Sequence, residues 1–420
     1  MKRSPKRLKQ YTANSELEAR VGRYVPLIDE SGGAVFKGLS TPPDKNKEER
    51  TFVQSKVCEE VSELRGLLGD ERGDGPDGSF DQSLVWFENF ARHLLDADES
   101  ARVPLSLIGS SQAALPMTVR KGRLSGLLGC SVASLTNYYS AYFAPVFSSN
   151  DHSSDDNRRE HAGQLARLFL NDLPRWHTLD LNPIDRDTEW AKEVSEVLRA
   201  NRCYVTDYFR FGNWYLDVDG RSFDDYFATL PGKLRNTLKR KQNKLAREKG
   251  FDFELVTDVD QLDAALAEYN RIYSLSWKVA EPHPDFIAAV CRDFAKRDWL
   301  RMGILRVEGV AAAAQIWFLK DKVASIFKLA YDPQFGKYSV GSILTKELMS
   351  HAIDQDKVDV VDYLCGDDAY KQDWMSHRRE RYGLRAYRLS TAVGLWRAAV
   401  ERIKAALKSR RGTEEGPDPE

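Results

Sequence analysis

Val323-Ala-Ser-Ile-Phe-Lys-Leu-Ala-Tyr331, Asp332-Pro-Gln-Phe-Gly-Lys-Tyr-Ser339 and Val340-Gly-Ser-Ile-Leu-Thr-Lys-Glu-Leu-Met-Ser-His-Ala-Ile353 follow one another without a break. The first piece is short and apolar, as a buried strand is. The second gathers Asp, Pro, Gly and Ser, which reads as a loop. The third places Val340, Leu344, Leu348 and Ala352 four apart, which predicts a helix. Upstream, Leu300–Val307 and Ala311–Leu319 read as a hairpin around Glu308-Gly309, with Gly supplying the positive φ. Before them come a short strand, Phe253–Val256, and helices over Val259–Trp277 and Phe286–Lys296. Downstream, Val358–Leu364 reads as a buried strand, Tyr370–His377 as a short helix and Leu384–Leu389 as a last strand. Strand, two helices, three strands, helix, strand, helix, strand predicts a mixed, mostly antiparallel α/β (α+β) sheet flanked by helices.

The first half echoes this order. Trp86–Leu95 reads as a helix, and Val103–Ile108 with Ala113–Val119 as a hairpin across Gly109-Ser-Ser. An aromatic stretch, Asn137–Phe147, precedes helix Arg159–Leu170, strand Trp176–Leu181 and helix Asp187–Ala200. Tyr204–Val218 reads as two strands meeting near Gly212-Asn213. Residues 1–80 are charged and turn-rich, with one short helix over Phe52–Leu68. The expected layout is a poorly ordered extension over 1–80, a first lobe over 81–225 and a second lobe over 226–392 that carries the site. A basic amphipathic helix and an acidic tail fill 393–420.

Composition excludes several classes. In 420 residues, 62 Lys+Arg meet 63 Asp+Glu, so no polyanion is expected to coat the whole surface. The five cysteines are scattered without a Cys-x-x-Cys, and the seven histidines lack ligand spacing, so no metal is expected. No Gly-x-Ser-x-Gly marks a serine hydrolase. The basic start leads into no apolar core of a signal peptide, and no apolar run nears the roughly 20 residues a membrane span needs. The expectation is a cytoplasmic protein.

Leu234-Arg-Asn-Thr-Leu-Lys-Arg-Lys-Gln-Asn-Lys-Leu245, Ser276-Trp277, Phe327–Asp332, Ser339-Val-Gly-Ser342 and Tyr363–Lys371 with Trp374 recur in an order that resembles the GNAT acyltransferases. Within that group the pattern is similar to the CelD-like type associated with cellulose and exopolysaccharide synthesis, itself related to two-lobed FemAB-type aminoacyl transferases. Ala114-Leu-Pro-Met117 and Leu135-Thr-Asn-Tyr-Tyr139 resemble the first lobe of the family. The resemblance implies two GNAT-like lobes over about residues 84–390. It also implies an acyl group passed from a thioester donor, acetyl-CoA or another acyl-CoA or acyl carrier protein, to an amine or hydroxyl. A small-molecule or sugar acceptor in surface polysaccharide synthesis is implied by the same likeness. The family's Arg/Gln-x-x-Gly-x-Gly/Ala signature is absent, which leaves the thioester carrier open.

The residues themselves admit matching chemistry. A helix starting at Ser339-Val-Gly-Ser342 offers unpaired N–H groups to a phosphate, and Gly336 and Gly341 allow close approach. The same residues read equally as an ordinary helix cap. Acyl transfer needs a base for the ammonium proton and an acid for the leaving thiolate. Asp367, Asp368 or Asp332 can be the base and Tyr370 the acid; Asp367-Asp368 also reads as a cap. His377 is a spare base. Lys328, mid-strand, is expected to face outward or to pair with the acidic loop, and it is a candidate contact for the donor. Lys233–Lys249 holds eight Lys/Arg against Glu248 alone. It reads as a solvated helix face, or as a patch for a phosphorylated cofactor, tRNA, acidic carrier protein or lipid. It lacks the features of sequence-specific DNA readers. The alternative to an acyl-CoA enzyme is therefore a non-catalytic binding module or an aminoacyl-tRNA-dependent transferase. Residues 395–411 form a basic amphipathic helix that packs on the domain or touches an anionic membrane. The central expectation is geometric: neighbouring strands part near Tyr331 and Leu364 and leave a slot for a pantetheine arm.

Overall fold

The computed structural model describes residues 25–28, 34–37, 53–68, 79–122, 129–148, 155–276 and 278–412. Trp277 of the quoted motif lies outside them, as do most of residues 1–52 and the acidic tail. The chain divides into two units, Met1–Thr51 and Phe52–Glu420. In the first, β1 (Val25–Ile28) pairs antiparallel with β2 (Ala34–Lys37).

The second unit carries β3 (Val53–Cys58), β4 (Glu99–Ile108), β5 (Ser111–Ala114), β6 (Met117–Arg120), β7 (Cys130–Ser134), β8 (Val146–Phe147) and β9 (Trp176–Ile184). Then follow β10 (Cys203–Asp217), β11 (Phe251–Val256), β12 (Leu300–Val307), β13 (Val310–Lys320), β14 (Val323–Tyr331), β15 (Val360–Asp362) and β16 (His377–Arg388). They join in one 14-stranded sheet of order β11-β12-β13-β14-β15-β10-β16-β9-β7-β6-β4-β5-β8, with β3 on β4. Its pairs are antiparallel except β14 with β15 and β7 with β9. The mixed, mostly antiparallel α/β architecture read from the element order is the one observed.

Each half of the sheet thus contains one parallel pair, and β16 lies between β10 and β9. Helix Val259–Leu275 buries Leu262, Ala265, Leu266, Tyr269 and Ile272 against one face, beside helix Pro284–Ala295. Helix Val340–Asp354 covers the other face through Ile343, Leu344 and Leu348. Both faces of β12 and β13 are therefore dry, as their near-continuous apolar runs require.

Four local readings change. Tyr370–His377, expected as a helix, is helical only over Ala369–Gln372, and the last strand starts at His377 rather than Leu384 because it pairs with β10 along its whole length. Val53–Cys58, expected to begin a helix, is a strand paired with Val103–Ile108, and helical structure starts only at Val61. Ala113–Val119 is not one strand: the chain breaks at Leu115-Pro116, where Pro cannot donate to the ladder. Tyr204–Val218 is one strand, not two. Gly212 serves close approach rather than a turn, since a Cβ there would lie 2.6 Å from both Arg378 Nη2 and Asp367 Oδ2. The irregularity is a bulge at Arg210, between Phe209 and Phe211.

Candidate active site

β14 and β15 pair over three residues only: Val323 with Val360, Ala324 with Val361 and Ser325 with Asp362. Beyond Ser325 the two chains diverge, and the cause is local. Leu364 adopts a left-handed backbone, φ +54, a conformation that costs a branched side chain energy unless its surroundings enforce it. Here they do. The Asp362 carboxylate accepts from Leu364 N at 2.7 Å, from Asn213 Nδ2 at 2.6 Å and from Arg379 Nη2 at 2.6 Å. Asn213 Nδ2 also donates to the Leu364 carbonyl at 2.9 Å, and Tyr363 N to that of Trp214. The chain after β15 therefore follows β10 and leaves β14. On the other side, Phe327 is an extra residue in β14, bulged between Ile326 and Lys328 relative to β13.

The fork encloses a cavity of about 260 Å³. Ile326–Leu329 form one wall, and Tyr363–Cys365, Asp368, Tyr370 and Lys371 the other; Lys278, Tyr138 and Tyr139 complete it. The two tyrosines come from the first half. Their loop is pinned by Asp81, which accepts from Ala141 N and Tyr142 N, and by Gln82, which donates to Tyr142 O and accepts from Ala144 N.

Three lysines converge on this space. Lys328 faces inward, contrary to the outward default, because Glu281 offsets its desolvation: Nζ donates to Glu281 Oε2 at 2.6 Å and lies 4.5 Å from the Tyr139 ring centre. Its partner is Glu281, not the acidic loop. Burial raises the Glu281 carboxyl, but bonds from Lys328 and the Tyr139 hydroxyl outweigh it and hold it below its ordinary value. Lys371 Nζ donates to the carbonyls of Tyr363, Cys365 and Gly366 and lies 3.6 Å from Asp368. Lys278 Nζ donates to Leu329 O at 2.6 Å. Burial, then the charge on Lys328, push the Lys278 ammonium down to about 8. Tyr370, 46% exposed and edge-on to Tyr363, is raised by burial and by Asp368 to about 12. Cys365 also rises to about 12 through burial, which leaves it a thiol.

The structure separates the candidate residues into three groups. Tyr370, Asp368 and Lys328 line the cavity. Asp367 is turned to Arg378 and Trp214 Nε1, and its carboxyl is held below the usual range by that guanidinium. Asp332 is buried as the cap of the turn Pro333–Tyr338, accepting from Gln334 N and Gln334 Nε2. His377 stacks on Tyr215. Gly336, Ser339, Gly341 and Ser342 form the loop and first turn of helix Val340–Asp354. There Ser339 is left-handed and its side chain makes no capping bond. A Cβ on Gly341 would stand 3.3 Å from the Tyr331 ring, which explains the glycine by packing.

The basic stretch is helix Gly232–Glu248, buried through Leu238 and Leu245. It is not wholly solvated, because Lys241 donates to Lys337 O and Lys244 lies over the Tyr338 ring. Its cations thus border the loop that precedes Ser339. Lys278, Glu281 and Tyr138 were not singled out from sequence. Two signals stood close by: Lys278 follows Ser276-Trp277, and Tyr138 sits inside Leu135–Tyr139. Among the described residues, no group of three or more His, Cys, Asp or Glu is placed to hold a metal ion.

No curated protein sequence matches the chain. The crystal structure of FemX superposes with TM-score 0.54 at 10% identity, covering 80% of this chain and 97% of that one. The C-terminal domain of a putative lysylphosphatidylglycerol synthetase from Agrobacterium fabrum matches with TM-score 0.41 at 13% identity, over 68% and 84% of the two chains. A tandem GNAT protein from the clavulanic acid biosynthesis pathway matches with TM-score 0.40 at 10% identity, over 79% and 98%. The likeness to FemX is one of fold. Residues 232–372, the segment that builds both walls of the fork, match the family described as an acetyltransferase (GNAT) domain.

Proposed function

We infer that the fork between β14 and β15 binds an acyl thioester and passes its acyl group to an amine. The observation that carries this reading is the 260 Å³ cavity between strands that part after Ser325 and Asp362. After Ser325, the edge of β14 no longer faces β15, so its backbone groups suit the amides of an extended pantetheine arm. The first turn of helix Val340–Asp354, with Lys241 and Lys337 beside it, suits the donor's phosphates.

The reaction needs no covalent enzyme intermediate. The acceptor nitrogen attacks the thioester carbon, a C–N bond forms, and the C–S bond breaks as the tetrahedral adduct collapses. Lys278, neutral above about pH 8, takes the ammonium proton. Tyr370, still protonated at neutral pH, returns a proton to the departing thiolate. Asp368 sits at the mouth near Lys371, where its charge favours an incoming ammonium. An amino sugar of a surface polysaccharide is the acceptor that the CelD-like resemblance favours. An acyl carrier protein or an aminoacyl-tRNA in place of acyl-CoA would use the same fork, with helix Gly232–Glu248 meeting the larger anionic donor, carboxylates in the one case and phosphates in the other.

Isothermal titration with acetyl-CoA and with charged acyl carrier protein, followed by thiol release in the presence of glucosamine and other amines, tests the proposal. Binding of one thioester and amine-dependent thiol release are expected. Binding of neither, with salt-sensitive retention of RNA, would move the reading to a binding module.

A further inference from the structure

We propose that the helix Ala392–Gly412 is a docking surface for an anionic phospholipid membrane. The helix has 21 residues, about 32 Å at 1.5 Å per residue. Ala398, 2% exposed, anchors its first half, and Arg397 reaches Thr178 Oγ1. Apart from the half-buried Val400, its apolar stripe stays out of that packing. Trp396, Val400, Ile403 and Leu407 recur at intervals of four, three and four, on one side of an α-helix. Trp396 is 65% exposed, Ile403 59% and Leu407 55%, with Leu395 alongside at 56%. Helix Glu189–Ala200 provides the contrast, since Trp190, Ala191, Val194 and Leu198 on its inner face are buried.

The occupant follows from charge. Between Ala392 and Gly412 the sequence holds six Lys/Arg (Arg397, Arg402, Lys404, Lys408, Arg410, Arg411) against Glu401 alone. Arg402 and Lys404 are exposed. An aromatic and aliphatic stripe bordered by cations matches the acyl boundary and headgroups of an anionic leaflet. No helix of the described residues is long and apolar enough to cross a membrane. The helix therefore lies along the surface, with Trp396 at the headgroup level where indole rings are favoured. This inference does not depend on what the fork binds.

The test is sedimentation of the full chain with vesicles of phosphatidylcholine alone or mixed with phosphatidylglycerol. The wild type is expected to sediment with the mixed vesicles, more weakly as salt rises. Replacing Trp396→Ser and Ile403→Ser together should weaken that binding about tenfold or more. Both side chains are exposed, so the thermal midpoint of the double variant should match the wild type. Absence of wild-type binding, equal binding to neutral vesicles, or undiminished binding by a folded double variant would overturn the proposal. So would self-association of the wild type without vesicle binding, abolished in the double variant, since a second copy would then be the occupant.

Discussion

The sheet contains two parallel strand pairs, and they end differently. β7 and β9 pair from Cys130 with Trp176 to Ala133 with Asp180. Just beyond, side chains stitch them together. Ser134 Oγ donates to Asn182 O at 2.6 Å and accepts from Asn182 N at 3.1 Å, and Thr136 Oγ1 donates to the same carbonyl at 2.5 Å. β14 and β15 instead part after Ser325 and Asp362, and a carboxylate turns the departing strand toward β10. Parallel pairing by itself does not make a site. A site needs the strand ends pulled apart and the freed backbone groups given other partners, as Asp362 and Asn213 provide.

The contrast can be broken at its chemical end first. Tyr370→Phe removes the proposed acid while keeping the ring, and should lower amine-dependent thiol release by about 10²–10⁴. Unchanged turnover would remove the assignment of that proton. Next in size is Asp362→Ala, which removes the carboxylate that Arg379 Nη2, Asn213 Nδ2 and the Leu364 N–H donate to. A cost of about 3–5 kcal/mol is expected in urea unfolding, with loss of thioester binding. If the variant binds donor normally, something other than Asp362 holds the fork open.

Lys278 gives a smaller effect of opposite sign. Its ammonium falls from an ordinary 10.5 to about 8 in the folded protein. Between those values the unfolded chain holds the extra proton, so this group's contribution to stability rises with pH through the window and is lost below it. Lys278→Met should therefore stabilise the protein at pH 7 by about 1–3 kcal/mol, with the gain vanishing above pH 10.5. The same variant should abolish the rise of turnover with pH near 8. Thermal melts and a rate profile across pH 6.5–9.5 would check both, and a retained rise would assign the base elsewhere. Smallest is Ser134→Ala in the closed pair. It should cost about 1–2 kcal/mol through the Asn182 N–H that loses its acceptor, since Thr136 still bonds the Asn182 carbonyl, and leave turnover unchanged.

Much of the second half was legible because its signals are local. The Val340–Ala352 spacing, the Glu308-Gly309 turn and the apolar runs of β12–β14 depend only on neighbours in sequence. Gly212 misled for a related reason. A glycine needed for close approach to Arg378 and Asp367 looks, in sequence, like one needed for a turn. At the site, Tyr370 and Asp368 could be read from the loop after a buried strand. Asp332 and Asp367 were indistinguishable from them until their partners Gln334, Arg378 and Trp214 were known.

What the chain determined by itself is most of the order of strands and helices, because periodicity and turn chemistry act within a few residues; the parting of β14 and β15 comes after Ser325, earlier than the expected Tyr331, because contacts of Asp362 with Asn213 and Arg379 set it. Tertiary structure alone decided which charges face one another. Lys328 turned inward because Glu281, 47 positions away, waits for it, and Tyr138 and Tyr139 reach the fork from the opposite half of the sheet. Desolvation and Coulomb energy depend on distances in space, and no spacing along the sequence encodes them.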